Sequence, residues 1–324
     1  MARDGRVADM RAVYMTAFGG PEVLVAGDAP DPAPGPGEAV VDVAFAGITF
    51  VETMFRATGF GPFDGDLPMI PGNGVGGTVA AVGDGVDPGL VGSRVVTPTG
   101  GAGGYAEQVA VPAAGLVAVP EGLALDAAVA LLADGRTATM LVDAAAVRSG
   151  ERVLVEAAAG GVGSLLVQLA AGSGAHVVGA AGGERKLALA RCLGAAAAVD
   201  YRTPGWADEA GPVDVVFDGV GGDVARDAFG LLGPGGRMVS FGLASGRWAD
   251  VNEEEARARG VTRIGLQRPD PAATRRFTER ALTAAAEGRL RPVIGARFPL
   301  ERAADAHAAI EARATVGKTL LETR

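Results

Sequence analysis

From Met10 onward the chain alternates apolar and polar positions in short runs: Met10-Arg11-Ala12-Val13 opens the pattern, and residues 39–45 and 93–96 continue it. A period of two is that of a strand with one buried face. Clusters such as Pro32-Ala33-Pro34-Gly35-Pro36-Gly37 and Gly100-Gly101-Ala102-Gly103-Gly104 separate the runs, and such residues punctuate strands rather than continue them. The pattern predicts an all-β domain with long loops over residues 10–125. The polar, small residues 1–9 are expected to be a loose extension.

Past Leu125 the texture changes to long alanine- and leucine-rich stretches of helical period, interrupted by short apolar strands at 152–156, 176–180, 213–217 and 237–241. Strands spaced by helices of this length predict βαβ units and a doubly wound parallel sheet over residues 126–268, so the fold class is α/β. A helix over 272–287, Phe298-Pro299-Leu300 and a last strand at 319–321 follow, and residues 269–324 are expected to return to the first domain.

A length of 324 residues suits two domains, and 48% hydrophobic with 21% charged residues describes a chain that folds. The net charge of −9 repels phosphate backbones and anionic lipid, which argues against nucleic acid and membrane partners. No run reaches the roughly 18 apolar residues that span a bilayer, and the first residues carry no apolar leader, so the expected location is cytoplasmic. One cysteine, Cys192, and two histidines, His176 and His307, cannot build a cysteine-rich zinc site, and no metal is expected. Cys192 reads as a small buried residue near a helix end. Of 29 basic residues only Lys186 and Lys318 are lysines, which singles out both positions.

The most informative segment is 153–168, VLVEAAAGGVGSLLVQ: an apolar strand, small residues with Gly160 and Gly163 three apart, then a helix. Missing side chains let the backbone approach a pyrophosphate, whose charge sits over free N–H groups at the helix start. The second strand at 176–180 completes the unit. Sites for NAD usually place a carboxylate at the end of that strand, about 20 residues on. Here Gly179-Ala180-Ala181-Gly182-Gly183 offers none, and Arg185 and Lys186 stand a turn into the next helix. Glu184 reads as a first-turn residue complementing the helix dipole. Lys186 is either a partner of a 2′-phosphate, which makes the cofactor NADPH, or a solvated helix residue.

Together these motifs resemble the medium-chain dehydrogenase/reductase superfamily, in its zinc-independent, zeta-crystallin-like quinone oxidoreductase branch. The resemblance runs from Met10 to the end. It rests also on Phe18-Gly19-Gly20-Pro21-Glu22-Val23-Leu24, Gly47-Ile48-Thr49-Phe50-Val51-Glu52-Thr53, Pro71-Gly72, Gly104-Tyr105-Ala106-Glu107, Ser240-Phe241-Gly242 and Ala314-Thr315-Val316-Gly317-Lys318. It implies a GroES-like substrate domain built from both chain ends, a Rossmann domain between them, and NADPH as hydride donor. The implied pyrophosphate contacts are Ala159, Gly160, Gly161 and Val162, with Gly163 packing helix on strand. The adenosine phosphate is implied near Gly182, Lys186 and Tyr201, and Tyr201 reads equally as a half-buried aromatic at a strand end. Val220, Ser240, Phe241, Gly242 and Leu243 are implied beside the ribose and nicotinamide, with Leu266, Gln267 and Thr137 also on the nicotinamide side.

The acceptor end departs from the family. Thr49 stands where an asparagine is frequent, and Met54 and Phe60 where tyrosines are, so Thr49, Met54 and Phe60 imply a pocket that recognises a flat, hydrophobic acceptor by packing. Thr49 and Thr137 are the catalytic candidates, and Glu52 and Tyr105 are the other groups able to supply a proton; each also has a structural reading. Arg136 either contacts an acidic or phenolic acceptor or sits on the surface. The expected activity is hydride transfer to a quinone or related conjugated carbonyl. The alternatives are an enoyl reductase of an α,β-unsaturated ketone or thioester, or an NADPH-binding protein without turnover. A strand at 262–267 is expected to end the sheet and to pair with a second copy as a homodimer.

Overall fold

A computed structural model describes residues 9–266 and 269–323. The chain divides into two compact units, Met1–Ala133 with Ile294–Arg324, and Asp134–Val293.

The first unit opens with an antiparallel hairpin, β1 (Asp9–Met15) on β2 (Leu24–Pro30), so Asp9 is already in a strand. Then come β3 (Glu38–Ile48), α1 (Phe50–Thr58), β4 (Pro71–Val82), β5 (Arg94–Ala102), β6 (Gln108–Pro112) and β7 (Val117–Ala118). The chain later returns as β14 (Ile294–Pro299), α9 (Ala303–Glu311) and β15 (Lys318–Glu322). The sheet order is β14-β15-β3-β4-β5-β7, with β6 also on β3. The alternation read in β3 has a packing cause: Val41 and Val43 are fully buried, in one cluster with Val75, Val79, Tyr105 and Leu321. Antiparallel pairing of β15 with β3 sets Thr319 opposite Ile48, which ties the chain's end beside the start of α1.

The second unit begins within α2 (Leu125–Ala145), the helix that the boundary divides. It continues with β8 (Arg152–Glu156), α3 (Gly161–Gly172), β9 (His176–Ala181), α4 (Glu184–Cys192), β10 (Ala197–Asp200) and α5 (Trp206–Ala210). After these come β11 (Val213–Asp218), α6 (Gly222–Gly230), β12 (Leu232–Ser240), α7 (Glu253–Ala258), β13 (Thr262–Gly265) and α8 (Pro271–Ala286). All six strands are parallel, in the order β10-β9-β8-β11-β12-β13. The order reverses between β8 and β11, and in doubly wound sheets ligands bind outside the carboxyl ends of the strands at that reversal.

The expected crossing points at 125/126 and 268/269 shift to 133/134 and 293/294. Helix α8 therefore stays with the second unit instead of returning to the first. Its Arg280 pairs with Asp143 of α2, and the Gln168 side chain of α3 bonds the Arg291 main chain just after it. An alanine-rich helix carries little sequence signal of which unit it covers, so only these contacts decide. Among the described residues no helix is long and apolar enough to cross a membrane.

Candidate functional site: a dinucleotide cradle and a buried polar cluster

The stretch 157–163 folds as a tight turn between β8 and α3. Ala157 takes a left-handed φ of 47°, and the Gly160 N–H donates to its carbonyl at 2.7 Å. A Cβ on Gly163 would lie 2.2 Å from that same carbonyl oxygen, so only glycine lets the helix start this close to the strand. Gly160 is the N-cap of α3, and the N–H groups of Gly161, Val162 and Gly163 form its first turn. First-turn N–H groups have no acceptor within their helix and carry the positive end of the dipole. Ala159 and Gly163 are buried, while Gly160, Gly161 and Val162 are half-buried and thus reachable. The cradle that a pyrophosphate needs is present.

At the end of β9, Gly183 caps α4 with a φ of 93°. Lys186 is half-buried in the first turn, and its N–H donates to the Gly183 carbonyl at 2.9 Å. Tyr201 is half-buried beside Gly182, whose added Cβ would lie 3.6 Å from the Tyr201 ring. Glu184 is exposed in the first turn of α4 and pairs with Arg191 at 2.9 Å. The expectation of no acid here needs correction. The neighbouring strand β10 brings Asp200 to this point, where it accepts from the Gly183 N–H at 2.9 Å and from the Arg202 guanidinium at 2.7 and 2.9 Å. These bonds, Arg202's first, hold the Asp200 carboxyl at about 2. Sequence reasoning passed over Arg202, although Asp200-Tyr201-Arg202 contained the signal.

Beneath the cradle lies a pair that the sequence did not reveal. Glu156 ends β8 and Asp218 ends β11, the two strands of the reversal, and both are fully buried. Glu156 accepts from the Val220 N–H at 3.1 Å, and Asp218 accepts from the Gly221 N–H at 2.8 Å. Burial, then the charge of Asp218, pushes the Glu156 carboxyl well up, and Asp218 is raised by burial as well. Glu156 Oε1 and Asp218 Oδ2 are buried without a hydrogen-bond partner, and two carboxyl groups so placed disfavour being charged together. Their bonds to the Val220 and Gly221 N–H groups fix the 219–221 loop. Ser240 is half-buried, and the Phe241 and Gly242 N–H groups donate to the Asp218 main-chain carbonyl at 2.9 and 3.3 Å. Leu243 is half-buried in the same stretch. Val220, Ser240, Phe241, Gly242 and Leu243 thus gather around one strand end. Leu266 stands 47% exposed after β13, and Gln267 lies outside the described residues.

The first unit holds a buried polar cluster around α1. Thr49, half-buried, is the N-cap of the helix, and its N–H and hydroxyl both donate to Glu52, at 2.6 and 2.7 Å. Glu52 also accepts from the Asn73 N–H and from the Tyr105 hydroxyl, both at 3.1 Å, and the Tyr105 hydroxyl lies 2.9 Å from His307 Nε2. Burial raises Glu52, opposed first by Thr49 and next by the charge of Lys318, itself only 3% exposed. Burial and then Glu52 raise Tyr105, while burial and Arg56 lower His307 to about 3, so the imidazole is neutral. The buried Arg56 pairs with Glu311. Tyr105 and Glu52 are therefore members of one network that ties α1 to β4 and α9.

Met54 is half-buried on α1, but Phe60 stands 80% exposed, which does not suit a packed wall of an acceptor pocket. Thr137 is half-buried on α2. Arg136 beside it is half-buried rather than on the surface, and burial lowers its guanidinium against the charge of Asp134. Cys192 ends α4 as expected but is exposed, which corrects the buried reading; the last residue of a short helix faces outward here.

Two family models match the chain: "Alcohol dehydrogenase GroES-like domain" over residues 35–121 and "Zinc-binding dehydrogenase" over residues 193–321. The quinone oxidoreductase of Pseudomonas aeruginosa is 34% identical, over 96% of this chain and 99% of its own. The probable quinone oxidoreductase of Schizosaccharomyces pombe is 37% identical over 90% of each. A mycobacterial protein solved in complex with NADPH matches with a TM-score of 0.86 at 33% identity, over 97% of this chain and 99% of that one. The chain belongs to the medium-chain dehydrogenase/reductase superfamily, in its quinone oxidoreductase branch, and is by that membership an oxidoreductase. The zinc of the second model's description does not fit these residues. Cys192 and the exposed His176 lie at the ends of α4 and β9, His307 is bonded to Tyr105, and no three potential ligands cluster among the described residues.

Proposed function

We propose that the protein is an NADPH-dependent, metal-independent reductase of quinones or closely related conjugated carbonyls. The observation that carries this reading is the cradle at the start of α3, placed at the strand-order reversal that doubly wound sheets use for dinucleotides. The mycobacterial relative's complex with NADPH supports the same cofactor. Gly160, Gly161 and Val162 would hold the pyrophosphate on backbone N–H groups. Arg202 already matches the Asp200 carboxylate, and Lys186 follows in the first turn of α4, an arrangement compatible with a 2′-phosphate as well as with a bare hydroxyl. Bound there, NADPH would supply the hydride.

At the acceptor end the hydroxyl of Thr49 is committed to Glu52, so Thr49 presents lone pairs rather than a proton. A quinone tolerates this, because its reduced oxygen is delocalised and takes a proton from water, whereas a saturated ketone needs strong polarisation. The test is NADPH oxidation against a quinone panel and an enone panel, with and without a chelator. Turnover of quinones, unaffected by the chelator, is the expected result. Turnover of enones alone would reassign the acceptor, and tight NADPH binding with turnover of neither panel would overturn the enzymatic reading.

A further inference from the structure

The sequence retains a second lysine that the cofactor does not explain. Lys318 begins β15 and is 3% exposed, one of two lysines among 29 basic residues. A buried ammonium is costly unless it is paired or used. Lys318 lines a small recess with Thr49, Asn73, Gly47, Gly74 and Leu132. The free volume is about 10 Å³, room for one water-sized group.

The walls of the recess explain its residue types. A Cβ on Gly47 would come 3.1 Å from Lys318 Cε, and one on Gly74 would come 2.6 Å from Leu132 Cδ2, so both glycines keep the space open. A planar guanidinium is larger than the ammonium that this space accommodates. Glu52 supplies a counter-charge to Lys318 from behind Thr49. Thr49 spends its proton on Glu52, and the Asn73 N–H goes there too. The recess therefore sets a compact cationic donor beside a space for one atom, and that cation is the complement of a single oxygen that gains negative charge.

We propose that Lys318 is the cation that receives the carbonyl oxygen of the acceptor in this recess, beside Thr49, and stabilises the charge that reduction places on it. The inference rests on the reductase reading above. In the step it serves, the hydride's electron pair forms the new C–H bond and the π pair of the conjugated system moves onto oxygen. The oxyanion then takes its proton from water, and Lys318 keeps its own. Preorganised charge at such a position acts on the transition state more than on the bound substrate.

Two measurements test it. Lys318→Met should lower kcat/KM for quinones about a hundredfold, chiefly through kcat, while the Kd for NADPH read by fluorescence stays within a factor of two. A variant that keeps half of the wild-type kcat overturns the proposal. Because loss of a buried charge can also weaken folding, the second measurement uses the wild-type protein with 4-nitrophenol, followed through the visible band of its phenolate. Bound nitrophenol should compete with the quinone and ionise at least one pH unit below the free phenol, and the shift should vanish in Lys318→Met. An unchanged or raised ionisation, a shift that survives the substitution, or failure to bind would each overturn the proposal. A wild-type protein that binds and ionises nitrophenol but reduces neither quinones nor enones would sink the reductase reading and leave the assignment of the oxyanion site standing.

Discussion

At Lys186 the proposed preference for NADPH rests on the energetics of one contact. The residue is half-buried in the first turn of α4, just after Gly182 and Gly183, which lie against Tyr201 and Arg202. A charge-assisted contact with a 2′-phosphate contributes roughly 1.5–3 kcal/mol. Lys186→Ala should therefore weaken NADPH about tenfold or more and leave NADH nearly unchanged, as read by fluorescence titration with both cofactors. Equal weakening of both would show that the lysine supports the helix instead. Arg202 sits over Gly183, where a Cβ would meet its Nη2 at 2.9 Å, and its bonds to Asp200 keep it there before any phosphate arrives. The Asp200 carboxylate is thereby already matched by Arg202, so an acid at this point is compatible with the proposed 2′-phosphate contact.

At the level of elements, parallel pairing of β8 with β11 gathers two buried carboxyl groups at the ends of the two strands. The Glu156 carboxyl is raised well above its usual 4.5, first by burial and then by Asp218. Between pH 4.5 and that raised value the folded state holds a proton that the unfolded chain has lost. Stability from this group is therefore complete below pH 4.5 and declines as pH rises, by up to about 1.4 kcal/mol per pH unit. Glu156→Gln keeps an oxygen for the Val220 N–H and a donor for Asp218 without needing the proton. The stability of this variant relative to wild type should rise steadily from pH 5 to pH 8 in urea unfolding. A difference independent of pH would mean that Glu156 does not hold a proton in the folded state. The function of the element is also structural, because these carboxylates shape the loop that holds Val220, while the Asp218 main-chain carbonyl anchors the turn at Phe241 and Gly242.

For the whole molecule, the exposed edge of the second sheet sets the expected assembly. Strand β13 pairs with β12 alone among the described residues, and it is short, with Ile264 half-buried and Arg263 tied to Glu253. An unpaired edge is a template for a second copy, and two-fold antiparallel pairing of β13 would cover it. Sedimentation at micromolar concentration should give the mass of a dimer, and Ile264→Pro, which cannot donate to a ladder, should shift it toward monomer. A wild-type protein that sediments as a monomer at every concentration removes this assembly.

Much of the architecture was legible in the chain because it depends on local periodicity. The strand at Arg152–Glu156 appears with the expected bounds, and β9, β11 and β15 fall within one residue at each end, since short apolar runs between glycines leave little choice of register. The cradle was legible for the same reason: Gly160 and Gly163 satisfy a steric demand that acts over four residues. What the tertiary structure decided involves residues far apart in sequence. Glu156 and Asp218 are unremarkable acids until parallel pairing sets their strands side by side. Asp200 reaches Gly183 only because β10 lies next to β9. Lys318 meets Thr49 and Asn73 only because β15 pairs with β3, bringing a residue near the chain's end to a helix near its start. Burial and charge pairing have no period along a chain, so the chemistry of these groups is set by the fold that assembles them.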